Sequence, residues 1–125
     1  MELRIEDVLK DMQPKYRVVI RIALESMKRI NGRGTYSEYF PGFIWSKSVV
    51  GFVSDALWDF WCYCEEKEIV WLNMLIIRKD TGWSGDGVLK WYSDEFKTAE
   101  GYGKFCENRA NLAEAALINK TIVIV

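Results

Sequence analysis

The sequence contains no histidine, only two prolines and three cysteines, and its formal net charge is −1. Without histidine, the commonest general base is missing, together with Ser-His and Cys-His nucleophiles and most catalytic zinc sites. The cysteines, Cys62, Cys64 and Cys106, are odd in number and lack disulfide-framework spacing, so we predict a reduced, cytoplasmic protein. We expect no catalytic residues, no cofactor and no metal, and therefore a protein that is not an enzyme.

Long apolar runs are also missing, and no signal peptide is recognisable at Met1. We therefore predict no membrane segment. The near-zero net charge gives no global field for nucleic acid, but charge is unevenly distributed. Between Pro14 and Ser54 there are seven basic and two acidic side chains, whereas Asp55 to Glu68 has five acidic and one basic. The chain is therefore electrically polarised along its sequence.

The composition indicates compact folding, because half of the 125 residues are hydrophobic and six are tryptophan. A chain of this length is predicted to be a single domain, residues 1–125, with one core. One small core rarely accommodates so many indoles, so some tryptophans are expected at the surface.

Apolar spacing predicts helices through the first half of the chain. Met1 to Met12 is a short amphipathic helix, and Lys15 to Ile30 is a longer one stopped by Asn31 and Gly32. Thr35 to Phe40 has a capping-box pattern. A long helix then starts at Ser46 or Ser48 and reaches about Glu66. Its predicted apolar stripe is Val50, Val53, Leu57, Phe60 and Cys64.

The run from Ile69 to Ile77 is almost wholly apolar and rich in isoleucine, which predicts a strand buried on both faces. Glycines at 82, 85 and 87 then punctuate a polar loop from Arg78 to Gly87, which we interpret as a wing. Val88 to Phe96 is compatible with a returning strand, with the start of a helix, or with both.

The C-terminal part is predicted to be a helix from Asp94 to Leu117, interrupted at Gly101 to Gly103 and carrying Leu112 on its apolar face. Thr121 to Val125 reads as a strand by propensity. A strand at the end of a chain must pair with the central strand or with another chain, or it becomes an aggregation risk. Pairing with another chain would give a homodimer.

This order of elements predicts a mainly helical α/β fold with a winged-helix-like helix-turn-helix over about residues 15–92. Residues 93–125 add a helical extension and a strand. In helix-turn-helix modules, the start of the second helix enters the DNA major groove. The candidate contacts to nucleic acid or a partner are Arg33, Ser46, Lys47, Ser48, Arg78, Lys79 and Trp83. These residue types can bind phosphate or stack on a base.

The runs TYSEYFPGFIWSKSVVGFVSDAL and WLNMLIIRKDTGWSGDGVLKWY resemble the C-terminal domain of alkylguanine-DNA alkyltransferases and alkyltransferase-like proteins over about residues 35–92. The resemblance implies a recognition helix and a glycine-containing wing. It places Asn73 and Met74 where the family has its reactive cysteine and histidine, so alkyl transfer is excluded. The pattern is also similar to small proteins of phage and mobile-element origin.

Several motifs have a structural interpretation beside a functional one. The glycine loop lacks the Gly-Lys-Ser/Thr of a Walker loop, which favours a wing. The spacing of Cys62 and Cys64 does not suit a zinc knuckle. Four carboxylates that could bind a metal are more simply explained as solvated loop residues: Asp80, Asp86, Asp94 and Glu95. Asn73 requires a hydrogen-bond partner inside an apolar run, in the protein or in a ligand.

Trp83 is flanked by Thr-Gly and Ser-Gly, and we expect it to be exposed, as an interface hot spot or a stacking platform. The leading hypothesis is a non-enzymatic binding protein of phage or mobile-element type, acting on a host protein or a protein–nucleic acid complex. The alternative is a winged-helix protein that binds double-stranded DNA.

Overall fold

The computed structural model describes residues 1–84 and 98–125. The second half of the predicted wing and the predicted element at Val88 to Phe96 lie outside the described residues. The described residues form a mainly helical fold with short strands, as predicted. In chain order the elements are β1 (Glu2–Leu3), α1 (Ile5–Lys10), α2 (Arg17–Ile30), β2 (Gly34–Thr35), α3 (Tyr36–Tyr39), α4 (Lys47–Glu66), β3 (Ile76–Ile77), α5 (Ala99–Ile118) and β4 (Val123–Ile124).

The two N-terminal helices bury the residues that the apolar spacing selects. Helix α1 packs its apolar side against α2, and a 3-10 turn at Pro14–Tyr16 leads into α2. Helix α2 ends at Asn31, whose left-handed φ of 56° is tolerated by asparagine better than by most other residues. The predicted helix and its stop are confirmed.

Side-chain caps define the starts of α3 and α4. The Thr35 hydroxyl accepts a hydrogen bond from the Glu38 backbone N–H at 3.3 Å, and the Glu38 carboxylate accepts one from the Thr35 N–H at 2.9 Å. The predicted capping box is therefore present. Ser46 caps α4. The α4 stripe is predicted correctly at four positions and wrongly at one. Val50 is exposed, and the buried residues are Val53, Leu57, Phe60 and Cys64.

The predicted long strand from Ile69 to Ile77 is wrong. Leu72–Leu75 form a 3-10 turn, and only Ile76–Ile77 are extended, as β3. The 3-10 turn packs against α4 and α5, and all four of its side chains are buried. A turn enclosed by helices is apolar along its whole length, as is a strand buried on both faces. The hydrophobic pattern alone therefore cannot distinguish the two structures.

Helix α5 runs through Gly101 and Gly103 without the predicted interruption. Thr98 caps it by accepting a hydrogen bond from the Gly101 N–H at 3.0 Å. Its buried stripe is Tyr102, Cys106, Ala110, Ala113 and Leu117. Leu112 was predicted to be on the apolar face, but it points into solvent because it lies off that stripe.

The C-terminal strand pairs inside its own chain with an element that the sequence analysis did not identify. Strands β1 and β4 are parallel, with Glu2 beside Val123 and Leu3 beside Ile124. The sequence analysis expected this strand to pair with the central strand or with another chain. It did not consider pairing with Glu2–Leu3, because residues 1–12 were interpreted as helix throughout. Strands β2 and β3 form a second parallel pair. The homodimer through this strand stays a prediction.

One apolar cluster joins α1, α2, α4, α5 and the 3-10 turn. Its largest fully buried side chains include Tyr39, Phe40 and Phe60. Among the described helices, none combines the length and apolar character needed to cross a lipid bilayer.

Candidate functional site

The loop between α3 and α4 is held in place by its own aromatic side chains. Phe40 is fully buried and packs against Phe43 and Trp45, with ring centroids 5.3 and 6.0 Å away. Tyr36 meets Trp45 edge to face at 5.9 Å. These contacts anchor both sides of Ile44, so that its side chain projects outward and is 84% exposed.

An apolar groove lies between α2, this loop and the first turns of α4. We call it the α2/α4 groove. It is shallow and largely open to solvent, with a volume of about 650 Å³. Its lining residues are Val19, Gly42, Phe43, Ile44, Ser48, Val49, Phe52 and Val53. Among these described lining residues, Ser48 has the only polar side chain. Phe52 is 41% exposed, so the groove presents large apolar side chains to solvent.

Basic residues occur in the chain segments that build the groove, and the acidic residues Glu25, Glu38 and Asp55 directly adjoin those segments. Residues 14–24 and 39–54 contain Lys15, Arg17, Arg21 and Lys47 but neither aspartate nor glutamate. The Lys15 ammonium lies 5.0 Å from the centre of the Tyr16 ring. That ring lies 5.3 Å from Phe52 in the groove wall.

Lys47 directly precedes the lining residue Ser48 and is exposed. Arg21 forms a salt bridge across elements, to Glu6 at 2.7 Å. Exposed lysines therefore lie near Ser48 and near Phe52. At the Phe52 end they are accompanied by Asp55, one helical turn along α4, and by Asp59, whose carboxylate accepts a hydrogen bond from the Gln13 N–H at 3.0 Å.

The sequence-predicted contact residues do not form one surface. Ser46, Lys47 and Ser48 lie together at the start of α4, where the Ser46 hydroxyl accepts a hydrogen bond from the Val49 N–H at 3.3 Å. Arg33 instead binds α5. Its guanidinium lies 2.9 Å from Glu107 and 3.6 Å from Glu114, and it also donates to the Asn111 side chain. Those carboxylates already neutralise the Arg33 charge.

The described part of the predicted wing, Arg78 to Ser84, contains a tight turn. Arg78 donates to the Asp80 carboxylate at 3.0 and 2.7 Å, and Gly82 has a φ of +76°. Lys79 is exposed. The predicted exposure of Trp83 is wrong, because its ring is half-buried against Tyr102 at 6.3 Å and against the backbone of Gly103. A glycine-rich loop has few local neighbours, but α5 supplies distant ones.

Asn73 lies buried in the 3-10 turn between α4 and α5. Its Oδ1 has no hydrogen-bond partner among the described residues. The predicted structural hydrogen bond is therefore not seen at this oxygen, which is enclosed by protein and does not face the α2/α4 groove.

The cysteines are free thiols. Burial raises the pKa of Cys64 from its ordinary 9.0 to about 12 and also raises the pKa of Cys106. Both thiols therefore stay protonated at neutral pH, which makes them poor nucleophiles and metal ligands. No three histidine, cysteine, aspartate or glutamate side chains gather as a metal site within residues 1–84 and 98–125. Asp86, Asp94 and Glu95 lie outside those ranges.

The sequence analysis missed the residues that form the groove walls, above all Ile44 and Phe52. One signal was present. Phe43, Ile44 and Trp45 are three consecutive large apolar residues in a loop opened by Pro41 and Gly42, and apolar loop residues away from a regular element often belong to contact surfaces.

Comparison with known proteins gives no relative, since no family model, no curated protein and no solved structure matches the chain. The function is therefore argued from the groove itself.

Proposed function

We propose that this protein is a non-enzymatic binding module that acts in the cytoplasm and holds an apolar segment of another protein in the α2/α4 groove. The observation that carries the proposal is the outward presentation of Ile44 and Phe52 from a fixed loop and a helix. Ile44 and Phe52 line the same groove, so one apolar segment of a partner could cover both side chains. A phage or mobile-element origin would make the partner a host protein, alone or in a nucleic acid complex.

The energetic argument is that the exposed side chains of Ile44 and Phe52 would be removed from water on binding, which lowers the free energy of the complex. Covering a large aliphatic or aromatic side chain contributes roughly 1.5–3 kcal/mol when burial is complete. Phe43 and Trp45 are already packed against Phe40, so the groove needs little reorganisation to accept a partner. Preorganisation of this kind lowers the entropic cost of binding.

The test is site-specific crosslinking in the cell that carries the protein. A photoreactive phenylalanine analogue replaces Ile44 in one variant and the exposed Leu112 on α5 in the control. We expect a discrete adduct from position 44, sensitive to protease and resistant to nuclease. It should disappear when Phe52→Asp is added and should be absent from position 112.

Equal adducts from positions 44 and 112 would contradict the proposal, because they would show contact without regard to the groove. An adduct at position 44 that nuclease removes would point to nucleic acid instead.

The second candidate function is DNA binding by the predicted winged helix, which the exposed Lys47 between Ser46 and Ser48 favours. Three of the predicted DNA contacts are engaged within the protein. Arg33 and Arg78 form salt bridges with carboxylates, and Trp83 packs against Tyr102. DNA binding is tested by titrating tryptophan fluorescence with short double-stranded DNA. Affinity that falls with salt and with Lys47→Ala supports it, and no binding at low salt removes it.

A further inference from the structure

We draw no further inference here: the strongest candidate, the apolar α2/α4 groove beside Ile44 and Phe52, belongs to the site already described, and nothing in the structure shows what covers it.

Discussion

Trp83 and Gly103 show how one residue can be required by another that is distant in sequence. A Cβ atom added at Gly103 would lie 2.7 Å from the Trp83 ring, closer than carbon atoms pack. Glycine in a helix interior normally costs stability relative to alanine. Here the missing side chain makes room for an indole, so helix α5 continues through a residue that sequence reasoning treated as a breaker.

The first prediction compares two helical glycines. Gly103→Ala should lower the free energy of unfolding by about 1 kcal/mol or more, since overpacking outweighs the gain in helix propensity. Gly51→Ala in α4 should raise it by about 0.5–1 kcal/mol, because a Cβ there meets no atom within 4 Å. Urea unfolding of both variants measures the difference, and an equal stabilisation in both would refute the packing argument.

The second prediction concerns the α3 cap. Thr35→Ala should cost about 1 kcal/mol, with Ser37→Ala as the exposed control. Hydrogen bonds from the backbone and the side chain of Thr35 hold the pKa of Glu38 below its ordinary 4.5. This contribution to stability is therefore present above pH 4.5 and lost as pH falls through the lowered pKa.

Urea titrations at pH 7 and pH 3 measure the cap directly. The difference between Thr35→Ala and the unchanged protein should be smaller at the lower pH, because the hydrogen bonds that the Glu38 carboxylate accepts weaken as pH falls through its lowered pKa. A difference that grows on acidification would contradict the assignment.

Among the secondary-structure elements, β4 depends most on the rest of the molecule. Its two residues pair with β1, and the Ile5 N–H donates to the Val125 carbonyl at 3.0 Å. A two-stranded pair is not stable alone. Burial of Ile122 and Ile124 in the common core therefore supplies the stability that the hydrogen bonds cannot.

The third prediction separates that burial from strand pairing. Ile124→Ala should lower the free energy of unfolding by about 2–5 kcal/mol, because its side chain is buried. Val123→Ala, on the exposed side of the same strand, should change it by less than about 1 kcal/mol. Thermal and urea unfolding measure both, and losses below about 1 kcal/mol in both variants would show that side-chain burial is not what stabilises the strand.

For the whole molecule, the uneven charge of the sequence becomes a difference between the two ends of α4. A helix of this length spans about 30 Å, and it begins at Lys47 beside the groove and ends at Glu65 and Glu66. The acidic end is held to the body by the Trp71 side chain, which donates to Glu65. The apolar groove thus lies at the end of α4 that begins with Lys47.

The fourth prediction also belongs to the whole molecule and concerns alkaline pH. Because burial raises the Cys64 pKa from 9.0 to about 12, its contribution to stability is complete below pH 9 and lost as pH rises toward 12. Burial also raises the pKa of Tyr39 above its ordinary 10.0. The free energy of unfolding should therefore fall across this range.

Cys64→Ala should reduce that slope more than Cys62→Ala does, because Cys64 is buried whereas Cys62, whose pKa burial also raises, is only partly buried. The quantity to compare is the slope with pH, since the cavity left at position 64 lowers stability at every pH. Identical slopes in both variants would show that Cys64 does not titrate as described.

The sequence by itself determined the local features of this protein. The helix at Arg17–Ile30, the capping box at Thr35 and the Ser46 cap depend on residues within one or two turns of each other, so spacing and side-chain chemistry predict them. The mainly helical class follows from those elements.

Only the tertiary structure decided which apolar residues stay outside the core. Leu112 and Val50 match the predicted apolar stripes of their helices but are exposed. Trp83 is covered by α5, and Ile44 is held outward by its aromatic neighbours. Burial depends on contacts between residues far apart in the chain, which periodicity does not record. The groove exists for that reason, because α2 and α4 meet there and leave part of their apolar surface uncovered.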